Sequence, residues 1–423
     1  METASKKLVI IGAGHAGSEL AIAARQGGWE GSIVLIGDER AVPYHRPPLS
    51  KAYLLGKSDV EALALRPASA YEAARIELLQ GVQVIVIDRA ARRVTLADGS
   101  VLPYDKLALC TGGRPRPFVC EGIDAQRPPP NLFYLRTLAD ADGIRERLGP
   151  KKNVVVVGGG YVGLEVAASM RGLGMHVTVI EAQARVLARV AGVEVSRFFE
   201  SVHRAAGVEI LTGVGVDRVT CEDGRIVAVH CSNGQCVPAD VVVAGIGMLP
   251  NIEVAAGTGL VSEGGILVDE YARTADPDIV AAGDNTLQHH LLYNRQLRLE
   301  SVPNALEQAR AAASWLCGKS KPNQSVPWFW SDQYDLKLQM AGLSQGHDRC
   351  VLRGDPATHS FCAFYLKGDR LLAIDAINRP GDFMLTRRTL AQPLIVKAQE
   401  LMEEAVPLKE IFLKAITQIT GKP

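Results

Sequence analysis

The sequence predicts an α/β chain with two Rossmann-like dinucleotide-binding units and a C-terminal α+β domain. Two near-copies of one pattern carry the first part. Residues 7–20 read KLVIIGAGHAGSEL and residues 153–166 read NVVVVGGGYVGLEV. Each is a short apolar strand, then GxGxxG, then a helix-like stretch, 19–25 and 165–170. Each reaches a second apolar run, 32–36 and 176–180, closed by acids: Asp38 and Glu39 in the first copy, Glu181 in the second. The third observation is a change of character near Trp328. There aromatics cluster, glycine-rich turns stop, and 361–366 and 370–377 read as strands.

The two glycine motifs share one physical rationale. Gly12 and Gly158 allow the tight turn; Gly14 and Gly160 let backbone approach a pyrophosphate; Gly17 and Gly163 let the helix pack against the strand. The phosphates then face the positive end of a helix, and the acid after the second strand accepts hydrogen bonds from a ribose. At this glycine content a chance GxGxxG is expected about 0.4 times, so one match is weak. Two matches, each in strand–helix context with a following acid, predict two bound dinucleotides. Further strands end in glycine: 106–110 before Thr111-Gly112-Gly113, 240–244 before Gly245-Ile246-Gly247, and 279–282 before Gly283-Asp284. Such ends suit the ligand-binding edge of a parallel sheet. Asp-Gly at 98–99 and Asn-Gly at 233–234 read as hairpin turns, and 127–130 as an exposed proline-rich linker.

Composition narrows the function class. The 423 residues suggest about three domains. Lys+Arg and Asp+Glu are both 46, and 47% of residues are hydrophobic. That excludes a disordered chain and argues against nucleic-acid binding held mainly by charge. The polar start before LVIIGAG and the short apolar runs predict no membrane crossing and a cytoplasmic location. Eight cysteines without CxxC or HExxH suggest neither a disulfide scaffold nor zinc. His289-His290, read as neighbours on a helix, would not share a face, so no metal site is expected.

The two GxGxxG units, with Thr274 to Asp284 forming a late TxxxxxxxxGD segment, resemble the two-dinucleotide flavoprotein reductases of glutathione reductase-like fold. PYHRPPLSKAYL (43–54), TGGRPRP (111–117), GGGYVGLEVA (158–167), ESVPNALEQAR (300–310) and WFWSDQYD (328–335) narrow the resemblance. It is to the ferredoxin reductases of bacterial monooxygenase and dioxygenase systems. The resemblance implies an FAD domain split over 1–117 and 248–327, an NADH domain at 118–247, and a C-terminal interface domain at 328–423. It places Gly12, Gly14, Ala16, Gly17, Arg46, Lys51, Val84, Thr111, Gly112, Arg136, Gly283, Asp284 and Val302 on FAD. Asp38 matches the FAD ribose acid, with Glu39 as the competing choice. For the nicotinamide dinucleotide it implies Gly158, Gly160, Gly163, Glu181, Arg189, Gly247 and Glu300. A carboxylate at Glu181 binds a free ribose 2′-hydroxyl and repels a 2′-phosphate, so NADH is expected over NADPH, with Arg185 and Arg189 the nearby cations.

The resemblance also implies catalytic roles. Lys51 and Glu165 would pair at the reactive edge of the flavin; an ordinary buried salt bridge is the other reading. Tyr161 would cover the nicotinamide pocket or simply pack, and Trp330 would stand by the flavin on the electron-exit side or form interface core. Related disulfide reductases carry CxxxxC beside the flavin, but 43–54 contains no cysteine. The one CxxxxC, Cys231 and Cys236, brackets an Asn-Gly turn and reads as two hairpin residues. Electrons would therefore leave the flavin directly, singly, to a 2Fe-2S ferredoxin feeding a haem-thiolate monooxygenase or ring-hydroxylating dioxygenase. Arg310, Arg387, Arg388 and Lys409 are candidate docking cations, with Arg310 and Lys409 foremost. Rubredoxin or monodehydroascorbate-type reduction, or an FAD-binding signalling role with little turnover, remain alternatives.

Overall fold

A computed structural model describes residues 6–124 and 126–420. The polar start, residues 1–5, lies outside them. The chain divides into two compact units. The first comprises Met1–His45, Val60–Arg114 and Met248–Pro327; the second comprises Arg46–Asp59, Pro115–Gly247 and Trp328–Pro423.

The first unit is built on a five-stranded parallel sheet. Its order is Ile279–Ala281, Lys106–Leu109, Lys7–Ile11, Ser32–Gly37, Ile76–Gln80. Val9 lies opposite Val34 on one side and Leu107 on the other. Apart from the edge strand Ile76–Gln80, the strands read as largely apolar runs because both faces are covered. Leu8, Ile10 and Leu35 face helices His15–Gly27 and Val302–Leu316, where Ala21, Ala24, Ala309 and Ala312 join the same core. Val9, Ile11 and Val34 share the opposite core with Val84, Val94 and Leu96 of the antiparallel strands Val84–Asp88, Arg93–Leu96 and Val101–Pro103. Each such valine contributes about 2 kcal/mol of burial.

The second unit repeats the plan. Its parallel sheet runs Glu209–Thr212, His176–Glu181, Asn153–Val157, Val241–Ala244, Leu132–Phe133. Val155 and Val157 pack towards the antiparallel strands Val216–Glu222, Arg225–Cys231 and Cys236–Pro238. Val154 and Val156 pack with Leu164 of helix Tyr161–Gly172, and that core continues into Leu336, Leu338, Phe361 and Ala363. Those residues belong to an antiparallel sheet ordered Trp328–Gln333, Leu336–Gly342, Arg370–Ile377, Ser360–Lys367, Arg349–Asp355. The regions read from sequence as 118–247 and 328–423 thus share one hydrophobic core here. Segment 46–59 joins it through Leu54.

Both dipeptide turns join antiparallel strands, with Gly99 at φ +86° and Gly234 at φ +85°. Of the proline-rich stretch, Arg127, Pro128 and Pro130 are exposed but Pro129 is buried. The histidine pair needs a correction. His289 and His290 lie on strand Thr286–His290, not a helix, and strand alternation puts His289 outside and His290 inside.

Candidate functional site

In the first unit, the strand Lys7–Ile11 delivers the chain into the turn at Gly12, which adopts φ +105°. A Cβ on Gly12 would stand 2.1 Å from the Cys110 carbonyl oxygen, and one on Gly17 would stand 1.9 Å from the Gly12 oxygen. Gly14 differs: nothing lies within 4 Å of where its Cβ would be. It is the N-cap of helix His15–Gly27, whose first turn carries no acid. The result is an open backbone cradle at a positive helix end, suited to an anion.

The flanking residues fit an adenosine and flavin group. Asp38 is exposed just past strand Ser32–Gly37, whereas Glu39 takes a hydrogen bond from the Tyr44 hydroxyl. The turn Thr111-Gly112 is tied to Asn251, which accepts from Thr111 Oγ1 and donates from Nδ2 to the Thr111 oxygen. Gly283, at φ +100°, faces Ala16 and donates its N–H to buried Gln308 Oε1 at 2.9 Å. Asn285, beside Asp284, is fully buried, and its Oδ1 has no hydrogen-bond partner among the described residues. Val302 opens helix Val302–Leu316, capped by Ser301. Ala16 and Val84 are buried. Glu300, expected with the nicotinamide group, lies in this unit and pairs with Arg298.

The second unit holds the matching cradle. Gly158 turns at φ +107°, a Cβ on Gly163 would stand 2.0 Å from the Gly158 oxygen, and Gly160 again has nothing within 4 Å. Glu181 ends its strand with both carboxylate oxygens engaged. Oε2 accepts from Gly159 N and Oε1 from Gln183 N, each at 2.7 Å. Its carboxylate is therefore fixed beside the glycine turn. Arg185 points elsewhere, donating to the Ala188 and Ala191 oxygens and to Ser196 Oγ. Arg189 is exposed, with its guanidinium near Gly247.

Arg46, Lys51 and Arg136 also belong to this second unit. Arg46 Nη1 donates to the Arg136 oxygen at 2.8 Å. Lys51 Nζ stands 3.0 Å from Glu165 Oε1 and 3.7 Å from Asp332 Oδ2. Glu165 also accepts from Ser50 Oγ and Ser331 Oγ, both at 2.6 Å. Burial pushes the Glu165 carboxyl up, and Lys51 and the two hydroxyls offset that only in part. Tyr161 packs its ring on Phe329 at 4.6 Å and directs its hydroxyl to Met340 Sδ. Trp330 is half-buried between Trp328 and Phe329, and the Arg387 guanidinium lies over Trp328 at 4.6 Å.

The eight cysteines are all free. Cys231 is buried and Cys236 exposed across their hairpin. Cys110 is fully buried, which pushes its thiol up to about 12. Arg310 pairs with Glu19 at 2.8 Å and Glu307 at 3.2 Å; Lys409 is exposed on helix Leu408–Thr420. Among the described residues no group of His, Cys, Asp and Glu could hold a metal ion, and no helix is long and apolar enough to cross a membrane. Sequence reasoning did not single out Ser50, Ser331, Gln333, Gln308 or His203. The first four sat inside quoted motifs; His203 carried no signal at all.

Two open glycine cradles, each followed by an acid, define a protein built to bind two dinucleotides. The chain belongs to the pyridine nucleotide-disulphide oxidoreductase family, whose model matches residues 6–309; a reductase C-terminal model matches 328–412. It is 48% identical over 421 residues to putidaredoxin reductase of Pseudomonas putida, covering 99% of each chain. It is 44% identical to rhodocoxin reductase of Rhodococcus erythropolis, covering 95% of this chain and 93% of that one. The crystal structure of the covalent putidaredoxin reductase–putidaredoxin complex is similar at TM-score 0.94 and 48% identity. That match covers 98% of this chain and 100% of the other. The ferredoxin reductase of the CYP199A2 system from Rhodopseudomonas palustris follows at TM-score 0.92 and 40% identity, covering 96% and 100%.

Proposed function

We propose that this chain is an FAD-dependent NADH:ferredoxin oxidoreductase. It passes single electrons to a 2Fe-2S ferredoxin that serves a haem-thiolate monooxygenase or a ring-hydroxylating dioxygenase. The observation that carries this reading is the pair of open cradles in a chain whose 43–54 segment has no cysteine. Relatives named as reductases of putidaredoxin and of other ferredoxins match over almost the whole chain.

Bound FAD supplies the chemistry that accepts hydride from NADH and releases electrons one at a time. The protein's part is binding, orientation and charge. Gly12, Gly14 and Gly17 seat the FAD pyrophosphate, with Asp38 the better-placed ribose acid because Glu39 is engaged by Tyr44. Gly158, Gly160, Gly163 and Glu181 seat NADH. Glu181 is held by two backbone N–H groups and Arg185 is consumed by its own loop, which supports NADH over NADPH. Lys51, paired with Glu165, offers a cation to the flavin, as the family resemblance implies. Trp330 stands on the electron-exit side in the same reading. Arg310 and Lys409 are the proposed docking cations; an acid on the ferredoxin would compete with Glu19 and Glu307 for Arg310. The free thiols and the absence of a spanning helix among the described residues suit a cytoplasmic setting.

The test is turnover. NADH added to the yellow holoprotein should bleach it, and ferricyanide, then a purified 2Fe-2S ferredoxin, should support many cycles. Absence of turnover with both acceptors would overturn the enzyme reading.

A further inference from the structure

Glu165 is the inner end of a buried run of hydrogen bonds. Ser331 Oγ donates to Glu165 Oε1 at 2.6 Å; Gln333 Nε2 donates to Ser331 Oγ at 3.2 Å; His203 Nε2 meets Gln333 Oε1 at 2.8 Å; and the Tyr334 hydroxyl meets His203 Nδ1 at 3.2 Å. Ser331 and His203 are fully buried and Gln333 nearly so, while Tyr334 is 39% exposed. All belong to one unit with Lys51.

The chemistry of each group fixes its neighbour. An ionised carboxylate only accepts, so the single Ser331 proton is spent on Glu165. Ser331 Oγ must then accept, which turns the Gln333 amide nitrogen towards it. That leaves Gln333 Oε1 facing His203, so Nε2 carries the imidazole proton and Nδ1 accepts from Tyr334. Burial lowers the proton affinity of His203, in keeping with a neutral ring. Every donor therefore points one way, towards Glu165. Tyr334 adopts φ +56° in the two-residue turn between strands Trp328–Gln333 and Leu336–Gly342, a conformation that costs a tyrosine energy. Such aligned bonds reinforce one another in a low-dielectric interior.

We propose that Ser331, Gln333 and His203 are positioning residues: their one-way hydrogen-bond chain holds the Glu165 carboxylate ionised and, through it, the Lys51 ammonium in place. This rests on the reading that Lys51 and Glu165 serve the flavin. If Glu165 takes a proton, Ser331 is released to invert and the enforced direction is lost. The charged or titratable groups around the carboxylate are Lys51, Asp332 beyond it, and Tyr161; Arg171 acts on Tyr334 at the outer end.

Infrared difference titration of the holoenzyme tests the chain apart from turnover. The carboxylic-acid band that disappears in Glu165→Gln reports Glu165. In Ser331→Ala and Gln333→Leu that band should grow in at a pH about one unit higher than in the parent, and less so in His203→Phe. Ser331→Thr, which restores the hydroxyl, should return it. The acid limb of NADH turnover should move in the same direction. A band at one common pH in all variants, with only the melting temperature lowered, would overturn the proposal. Glu165→Gln turning over NADH at the parent rate would instead sink the underlying reading of Lys51 and Glu165.

Discussion

Glu165 is 5% exposed, and a carboxylate so deeply placed stays charged only while its partners compensate for lost water. Lys51 and the hydroxyls of Ser50 and Ser331 do so in part, and Lys51 is in turn held by its pair with Glu165. Lys51→Met should slow the bleaching of the holoprotein by NADH roughly 100-fold, the scale seen when one preorganised charge donor is removed. Unchanged stopped-flow kinetics would take Lys51 out of the mechanism. A second residue-scale expectation concerns Glu181. The parent should prefer NADH over NADPH by at least about 100-fold in kcat/KM, and Glu181→Ala should narrow that gap. Equal kcat/KM in the parent would contradict it. The acids and glycines were legible from sequence because their motifs impose spacing. The hydrogen-bond chain that ends on Glu165 was not, since Ser50, Ser331 and His203 come together only through tertiary packing. The orientation of Arg185 was equally hidden: sequence shows only a cation near Glu181, and its hydrogen bonds run into its own loop.

At the level of elements, the strand–turn–helix units explain why two glycines of one motif should respond differently. In Gly12→Ala the new methyl would meet the Cys110 oxygen at a backbone with φ +105°. That variant should lose about 2 kcal/mol or more of stability. In Gly14→Ala the methyl meets nothing in the protein. The apo-protein should melt as the parent does while FAD affinity falls about tenfold or more, because the cradle floor is raised. Melting curves with and without added FAD separate the two. A second element-scale prediction lies where the sheet strands Ser360–Lys367 and Arg370–Ile377 meet the loop before helix Val193–Ala205. Buried Asp375 accepts from the Tyr365 hydroxyl at 2.6 Å, and that oxygen accepts from Gly192 N at 3.0 Å. Burial pushes the Asp375 carboxyl up to about 7. The folded state thus holds a proton that an unfolded aspartate releases near pH ~3.9. The resulting stability is complete below that value and is lost as pH rises through about 7. Asp375→Asn should flatten the dependence of the urea midpoint on pH across this window; an unaltered slope would clear Asp375. Strands and turns were readable because apolar runs and Asn-Gly or Asp-Gly punctuation are local. The His289-His290 pair was misassigned because two adjacent residues carry no period of their own.

For the whole molecule, the formal net charge is zero, so no long-range field draws a ferredoxin in. Attraction must come from local cations, and at 0.1 M salt it fades beyond about 10 Å. Electron transfer to an acidic ferredoxin should therefore slow steeply with ionic strength, and Arg310→Ala or Lys409→Ala should lessen that slope. A flat salt dependence counts against both as docking cations. How the domains pack was not legible in length. Length suggested about three domains, but the second parallel sheet and the C-terminal sheet share one core, and segment 46–59 packs with them. Composition cannot report which apolar faces meet. The most direct measurement of the central claim is an anaerobic count of ferredoxin reduced per NADH oxidised. Two one-electron 2Fe-2S ferredoxins should be reduced for each NADH, sustained over many turnovers without any added dithiol. NADH consumption that leaves the ferredoxin oxidised, or transfer that requires a dithiol, would contradict it.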